Sequence, residues 1–263
     1  MKTIAIYNNK GGVGKTTAAK TIAEGLVIRG HNVLLIDADG QANLTTGCNI
    51  APDSGFYDIM VRDRVNWRDA MVMVNPERYL PDGVQSKGVL ALLPANKEVP
   101  TIPMNTHDGF RLLKRLHQLR ETGFFHYVII DTSPSVSMLH AMIVSSVDAV
   151  LCMTQLEEGS MQGVQNTLDL IQQANATRRG VNLPPVQLLG IQPNQVRRVV
   201  EHDENRAELT RGLQVPVLPD ISLRIAWAEA MSRRQSIFAY GVDARAIDDG
   251  WRLVDVVEAY HAG

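Results

Sequence analysis

Thr3-Ile4-Ala5-Ile6-Tyr7-Asn8-Asn9-Lys10-Gly11-Gly12-Val13-Gly14-Lys15-Thr16-Thr17 lies at the start of this 263-residue chain. Its first five residues form a short, largely apolar run that reads as a buried strand, and an amphipathic pattern takes over from Lys15 to Arg29. Small residues at the junction let backbone N–H groups curl around a phosphate, and the helix N-terminus adds its partial positive charge. Lys15 is placed to reach the β- and γ-phosphates of a nucleotide, and the Thr16 hydroxyl to ligand Mg²⁺. A plain Gly-rich turn is the competing reading; the closing Gly-Lys-Thr weighs against it. A dinucleotide fingerprint is excluded, because its third glycine position holds Thr17. The ordinary phosphate-loop pattern also fails at its first glycine, where Asn9 stands. A second lysine, Lys10, precedes the glycine pair instead.

Outward from this loop, short apolar runs alternate with helical patterns along the whole chain. Strands are predicted at Thr3–Tyr7, Asn32–Asp37, Val89–Leu93, Tyr127–Asp131, Ala149–Thr154, Val186–Ile191 and Val215–Leu218. Helices are predicted at Lys15–Arg29, Gly109–Glu121, Met138–Ser146, Ser160–Ala174, Glu201–Gly212, Leu223–Arg233 and Ala244–Tyr260. Strands apolar throughout and separated by helices argue an α/β, three-layer architecture: a mostly parallel twisted sheet with helices on both faces. Asn49–Asn105 is the least regular stretch and reads as surface helices and loops inserted between strands rather than a second domain. Residues 1–263 are read as one domain.

Composition removes several function classes. With 45% apolar and 21% charged residues the chain can bury a large core, so disorder is excluded. Cys48 and Cys152 are the only cysteines, too few for a disulfide scaffold or a four-thiolate metal site. The net charge of −2 means that nucleic-acid binding would have to come from a local patch. No apolar run approaches the roughly 20 residues of a membrane-spanning helix, nor does the N-terminus offer a signal sequence. A cytoplasmic protein is expected.

Two further stretches end strands in carboxylates: Asp37-Ala38-Asp39-Gly40-Gln41 and Ile129-Ile130-Asp131-Thr132-Ser133-Pro134. Ligands of open parallel sheets sit at the carboxyl ends of the strands, so both loops should converge on the phosphate loop. Asp131, closing an apolar strand, suits the Mg²⁺ side of a nucleotide site, and Asp37 the support of that metal shell. Taken singly, each is also compatible with an ordinary N-cap or turn aspartate.

Lys10-Gly11-Gly12-Val13-Gly14-Lys15-Thr16-Thr17 resembles the deviant Walker A motif of the ParA/MinD class of P-loop ATPases. The resemblance implies a P-loop NTPase fold, ATP and Mg²⁺ as cofactors, and a homodimer with two ATP molecules sandwiched between protomers. It implies that Lys10 crosses to the nucleotide of the other protomer, and that Asp39 orients the attacking water. Gly40 stands where that class carries proline, which would loosen the loop holding Asp39. Gly190-Ile191-Gln192-Pro193-Asn194 and Pro219-Asp220 lie where the class has its base-contacting loop, making Asn194 and Pro219 candidate base contacts; Asn194 is equally compatible with a turn. Glu229-Ala230 and Ser236-Ile237-Phe238-Ala239-Tyr240 match a late pattern of the same class.

Within the class, the acidic C-terminal segment disfavours a MinD-like membrane helix, and the absence of suitably placed cysteines disfavours an iron–sulfur relative. Between Arg178 and Arg234 there are nine Arg, no Lys and six acidic residues. The candidate contacts to DNA phosphates are Arg197, Arg198, Arg224, Arg233 and Arg234, with Arg178, Arg179 and Arg211 beside them. A solvated, salt-bridged face is the alternative for any single one. With no segment before the first strand, the chain resembles the short, Soj-like form without a helix-turn-helix. The expected function is partition of plasmid or chromosome by an ATP-dependent dimer. It would bind nucleoid DNA without sequence preference, and a ParB-type partner would stimulate it. A positioner of another cargo on the nucleoid, or a MinD-like membrane-cycling regulator, remains the alternative.

Overall fold

The computed structural model describes residues 1–135, 137–213 and 215–262. Seven strands form one sheet: β1 (Lys2–Tyr7), β2 (Val33–Ala38), β3 (Val72–Met73), β4 (Leu90–Leu93), β5 (Tyr127–Thr132), β6 (Ala149–Thr154) and β7 (Gln187–Pro193). Their order is β3-β4-β2-β5-β1-β6-β7, and every pairing is parallel except β3 with β4. The helices in the first half are α1 (Lys15–Ile28), α2 (Asn43–Gly47), α3 (Gly55–Val61), α4 (Trp67–Ala70), α5 (Ile102–Asn105) and α6 (Arg111–Glu121). Those in the second half are α7 (Met138–Ser146), α8 (Ser160–Arg179), α9 (Val200–Gly212), α10 (Ile225–Ser232), α11 (Ile237–Tyr240) and α12 (Ala244–Ala262).

The two-residue period of each strand divides the core into two layers. Ile4 and Ile6 of β1, with Val33, Leu35 and Ile129, pack under α1 and α12. Ala5 and Tyr7, with Leu34, Ile36, Val128 and Ile130, pack under α3, α6, α7 and α8. Strands covered on both faces need apolar residues at every position, which is why they read as unbroken apolar runs. Val254 and Val257 of α12 are fully buried on the first face, so the C-terminal apolar stripe is used internally.

Val215–Leu218 departs from expectation. It makes one bridge, Val217 to Ile191, rather than a strand. Pro216 and Pro219 lack the N–H that a ladder needs, although the Pro216 carbonyl still accepts the Ile191 N–H at 2.8 Å. The Asn49–Asn105 segment holds α3, α4, α5, the antiparallel β3 and β4, as an insertion rather than a second sheet.

Strand order is what builds the site. β5 lies between β2 and β1, which sets Asp37 directly opposite Asp131 and Asp131 opposite Ile6. Three loops from distant parts of the sequence therefore leave the sheet side by side.

Candidate nucleotide site

The loop from β1 to α1 is tied down by Asn8, whose buried side chain donates to the Met153 carbonyl (2.6 Å) and accepts the Lys10 N–H (2.9 Å). Gly14 caps α1 in the left-handed region, φ 90°, and a Cβ there would fall 2.1 Å from Asn194 Nδ2. Only glycine meets both demands. No side chain caps α1 and no acid occupies its first turn, so its leading N–H groups and dipole are left to an anion. Gly11, Gly12 and Val13 complete the curve. Thr16 and Thr17 stand on the first turn of α1.

Lys15 is buried and donates to the Lys10 carbonyl at 2.9 Å, which lays its ammonium across the loop. Burial lowers its pKa, and the nearby Asp131 and Asp39 partly restore it. Lys10 points away from this loop and pairs with Glu157 on the surface at 3.1 Å.

Asp131 is fully buried, and among the described residues neither carboxylate oxygen has a hydrogen-bond partner of ordinary geometry. Burial and then the charge of Asp37 push its pKa well up; the Thr16 hydroxyl and Lys15 pull the other way. A buried carboxylate in this state demands a proton or a cation. With the Thr16 hydroxyl beside it, the donor set is hard oxygen, which fits Mg²⁺. Asp37 differs. Its oxygens accept the Thr45 N–H (2.9 Å), the Thr45 hydroxyl (2.7 Å) and the Asp39 N–H (3.1 Å), and burial raises its pKa to about 6. It holds the loop that carries Asp39 as well as facing Asp131. Asp39 is half-buried, accepts the Gln41 N–H at 3.0 Å through Oδ1, and among the described residues Oδ2 is unbonded.

Gly40 is closely packed. The ring of Pro100 packs against it so closely that a Cβ on residue 40 would lie 2.8 Å from Pro100 Cδ. A proline sixty positions downstream fills the volume that a proline at 40 would need.

On the other side of α1, beyond Gly14 and Thr17, lies a cavity of about 360 Å³ walled by Met153, Asn194, Leu223, Arg224, Trp227 and Met231. Asn194 lines it and donates to the Val13 carbonyl at 2.8 Å. Pro219 does not line it; its carbonyl accepts from Gln192 at 2.7 Å. Sequence reasoning missed Asn8, Gln155, Gln195 and His140. Gln195, itself at φ 56°, donates to the Gly12 carbonyl and accepts from Gln155, so two glutamines brace the loop. His140 bridges the Ser133 carbonyl and the Ser137 hydroxyl beneath the segment after Asp131, and burial lowers its pKa to about 4. None of the four belongs to a short motif.

The arginines separate. Arg178 is corrected: it is buried, and its guanidinium serves the carbonyls of Pro184, Ser145 and Val147. Arg224 turns inward, paired with Asp243 at 3.0 Å and lining the cavity, so it is no free surface cation. Arg197, Arg198, Arg233 and Arg234 are exposed. Arg233 lies over the Tyr240 ring, and Arg234 donates to Asn49.

Residues 1–182 match the family described as AAA domain. The chromosome-partitioning ATPase Soj of Thermus thermophilus is 30% identical over 191 residues, covering 73% of this chain and 68% of Soj. The maintenance of carboxysome distribution protein A of Synechococcus elongatus is 26% identical, covering 92% of this chain and 93% of that protein. Cobyrinic acid a,c-diamide synthase of Mycobacterium smegmatis, solved with ADP and magnesium, superposes with a TM-score of 0.71 at 26% identity, covering 95% of each chain. With residues 1–182 matching that family model and about 30% identity to a partitioning ATPase over most of the chain, the chain belongs to the ParA/MinD-type family of P-loop ATPases.

Proposed function

We propose that the chain is a Mg²⁺-dependent ATPase of partition, a single domain that closes into a homodimer around ATP and rides on double-stranded DNA. The observation that carries this reading is the bare, buried carboxylate of Asp131 beside Thr16 and Lys15 at the phosphate loop. MgATP would supply the γ-phosphoryl group and the cation that relieves the Asp37–Asp131 repulsion.

Lys15 exchanges the Lys10 carbonyl for phosphate oxygens, a stronger, charge-assisted bond. Thr16 and Asp131 would hold the Mg²⁺, which would offset phosphate charge, and Asp37 would support them. Asp39 turns its unbonded oxygen to the attacking water and orients it in line. Lys10, already directed away from its own loop, would exchange its Glu157 partner for the nucleotide of the partner protomer. Arg197, Arg198, Arg233 and Arg234 offer guanidinium groups to DNA phosphates, and dimerisation doubles their number. A ParB-type partner would speed hydrolysis and return the protein from the nucleoid.

A second reading, positioning of a different cargo along the nucleoid, is supported by the 92% coverage of the chain by the carboxysome-distribution relative. The membrane-cycling reading is weaker: α12 places its apolar residues against α1, which among the described residues leaves no apolar stripe there for a membrane surface.

Calorimetry and sizing chromatography with MgATP test the reading together. Lys15→Ala should abolish binding. Lys10→Ala should bind without dimerising, and Asp39→Ala should dimerise without turning over. An Asp39→Ala protein that hydrolyses at the wild-type rate sinks the assignment.

A further inference from the structure

Two successive peptide groups of the phosphate loop are held by side-chain amides from the far end of the chain. The Gly12 carbonyl accepts from Gln195 Nε2 at 2.9 Å, and the Val13 carbonyl from Asn194 Nδ2 at 2.8 Å. Gln155 Nε2 stands 3.5 Å from the Gly12 carbonyl, too far to hold it firmly, and donates instead to Gln195 Oε1 at 2.7 Å. Gln155 thus orients the Gln195 amide, and Gln195 orients the peptide.

A trans peptide points its carbonyl and its N–H in opposite directions. With the Gly12 carbonyl turned towards the segments that follow β6 and β7, the Val13 N–H is turned the other way, into the curve that faces an anion. Sterics do not impose this choice. Gly12 sits at φ 76°, and a Cβ built on it would meet nothing within 4 Å among the described residues, so the peptide beyond it has room to turn over. Turned over, it would present a carbonyl to phosphate and replace attraction with repulsion. The bond to the Gly12 carbonyl also polarises the same peptide and strengthens its N–H as a donor.

Gln195 keeps this place at a conformational cost. Its φ of 56° lies in the left-handed region that residues other than glycine seldom adopt. The backbone is tied on both sides: the Asn194 N–H donates to the Thr154 carbonyl at 2.8 Å, and the Val196 N–H to the Ile221 carbonyl at 3.0 Å. Strain of this kind collects where a side chain has to be aimed.

We infer that Gln195 is a positioning residue for phosphate binding, with Gln155 acting through it: the pair holds the Gly12–Val13 peptide in the one orientation that offers its N–H to phosphate. The inference rests on the nucleotide-binding reading and makes phosphate affinity depend on two residues outside the phosphate loop.

The experiment is calorimetry with inorganic tripolyphosphate and with ATP, each with Mg²⁺, alongside thermal melts. The proteins are wild type, Gln195→Gly, Gln155→Ala, the double variant and Lys15→Ala. Glycine meets φ 56° without strain, so the melting temperature of Gln195→Gly should hold or rise. Loss of the amide should nevertheless weaken both ligands about three- to tenfold. A glutamine that only supports the fold would lose stability and affinity together. Both ligands should weaken by the same factor, within about twofold, because the change is made at a phosphate-facing N–H. Gln155→Ala should weaken both by less, and its effect should vanish once residue 195 is glycine. Should Gln195→Gly yield no folded protein, Gln195→Asn, which tolerates the left-handed region and is one methylene shorter, carries the same expectation for affinity. Unchanged tripolyphosphate affinity in the Gln195 variant, a melting temperature that falls in step with affinity, or a Gln155→Ala loss that persists in the double variant overturns the inference. A wild type that binds neither ligand, or a Lys15→Ala that binds both normally, overturns the nucleotide reading itself.

Discussion

His140 makes a sharp test of how the segment after Asp131 is held. Its ring sits between the Ser133 carbonyl (3.1 Å) and the Ser137 hydroxyl (2.9 Å), and burial depresses its pKa from 6.5 to about 4. The imidazole is therefore neutral in the fold and charged in the unfolded chain below about pH 6.5. The unfolded state binds the extra proton, so stability falls as the pH drops from 6.5 towards 4. A depression of this size corresponds to about 3 kcal/mol in all, of which about 2 kcal/mol is lost between pH 7.5 and pH 5. Asp37 acts in the opposite sense. Its raised pKa of about 6 means the fold gains stability on acidification through that value. Wild type alone will therefore show a muted profile, and the comparison with His140→Gln is what isolates the histidine. Glutamine can still donate to the Ser133 carbonyl but has no proton to refuse. Urea unfolding at half-unit steps from pH 5 to pH 7.5 should show the wild-type advantage shrinking by about 2 kcal/mol towards acid. Parallel curves for the two proteins would show that His140 titrates normally and that the buried bridge is wrong.

Two other expectations follow from close contacts and from charge. Gly40→Pro should destabilise the protein by about 1–3 kcal/mol through collision with Pro100, and Pro100→Ala in the same chain should recover much of that, read as coupling in a double-mutant cycle by thermal melts. If the proposed DNA reading holds, replacing Arg197 and Arg198, or Arg233 and Arg234, with Ala should weaken ATP-dependent binding to random-sequence DNA and lower the salt slope by about one per lost phosphate contact, while dimer formation on sizing persists. An unchanged slope in both pairs would remove those arginines from the interface.

Much of this was legible because it is local. A strand that is apolar at every position, a loop of glycines and a helix follow one another without interruption, so the phosphate loop could be placed from residues 3 to 29 alone. Asp37 and Asp131 were recognisable as strand-ending acids. Their adjacency was not, since it depends on β5 entering between β2 and β1, which no local pattern encodes. Val215–Leu218 misled because three apolar residues outvoted Pro216, whose missing N–H forbids a ladder. Arg178 misled for a different reason: an arginine pair reads as surface charge, yet the C-terminus of α8 turns one guanidinium inward to collect three carbonyls. His140 acts singly from a helix, where it is indistinguishable in sequence from an ordinary core residue. At Gly40 the residue that fills the neighbouring space, Pro100, lies sixty positions away, and no local pattern announces it.

α10 carries Trp227 and Met231 against the cavity, and Arg233 and Arg234 follow directly at its C-terminal end. Eight helical residues form a stiff rod only about 12 Å long. Its far end is moored: the methyl group of Met231 abuts Gly47, and the Gln235 carbonyl accepts the buried Lys20 ammonium at 2.9 Å. Lys20 belongs to α1, little more than one turn beyond Thr16. The moored end is the one that carries the two arginines, so α1, the helix that opens at the phosphate loop, also fixes where Arg233 and Arg234 stand on the outside of the cavity wall.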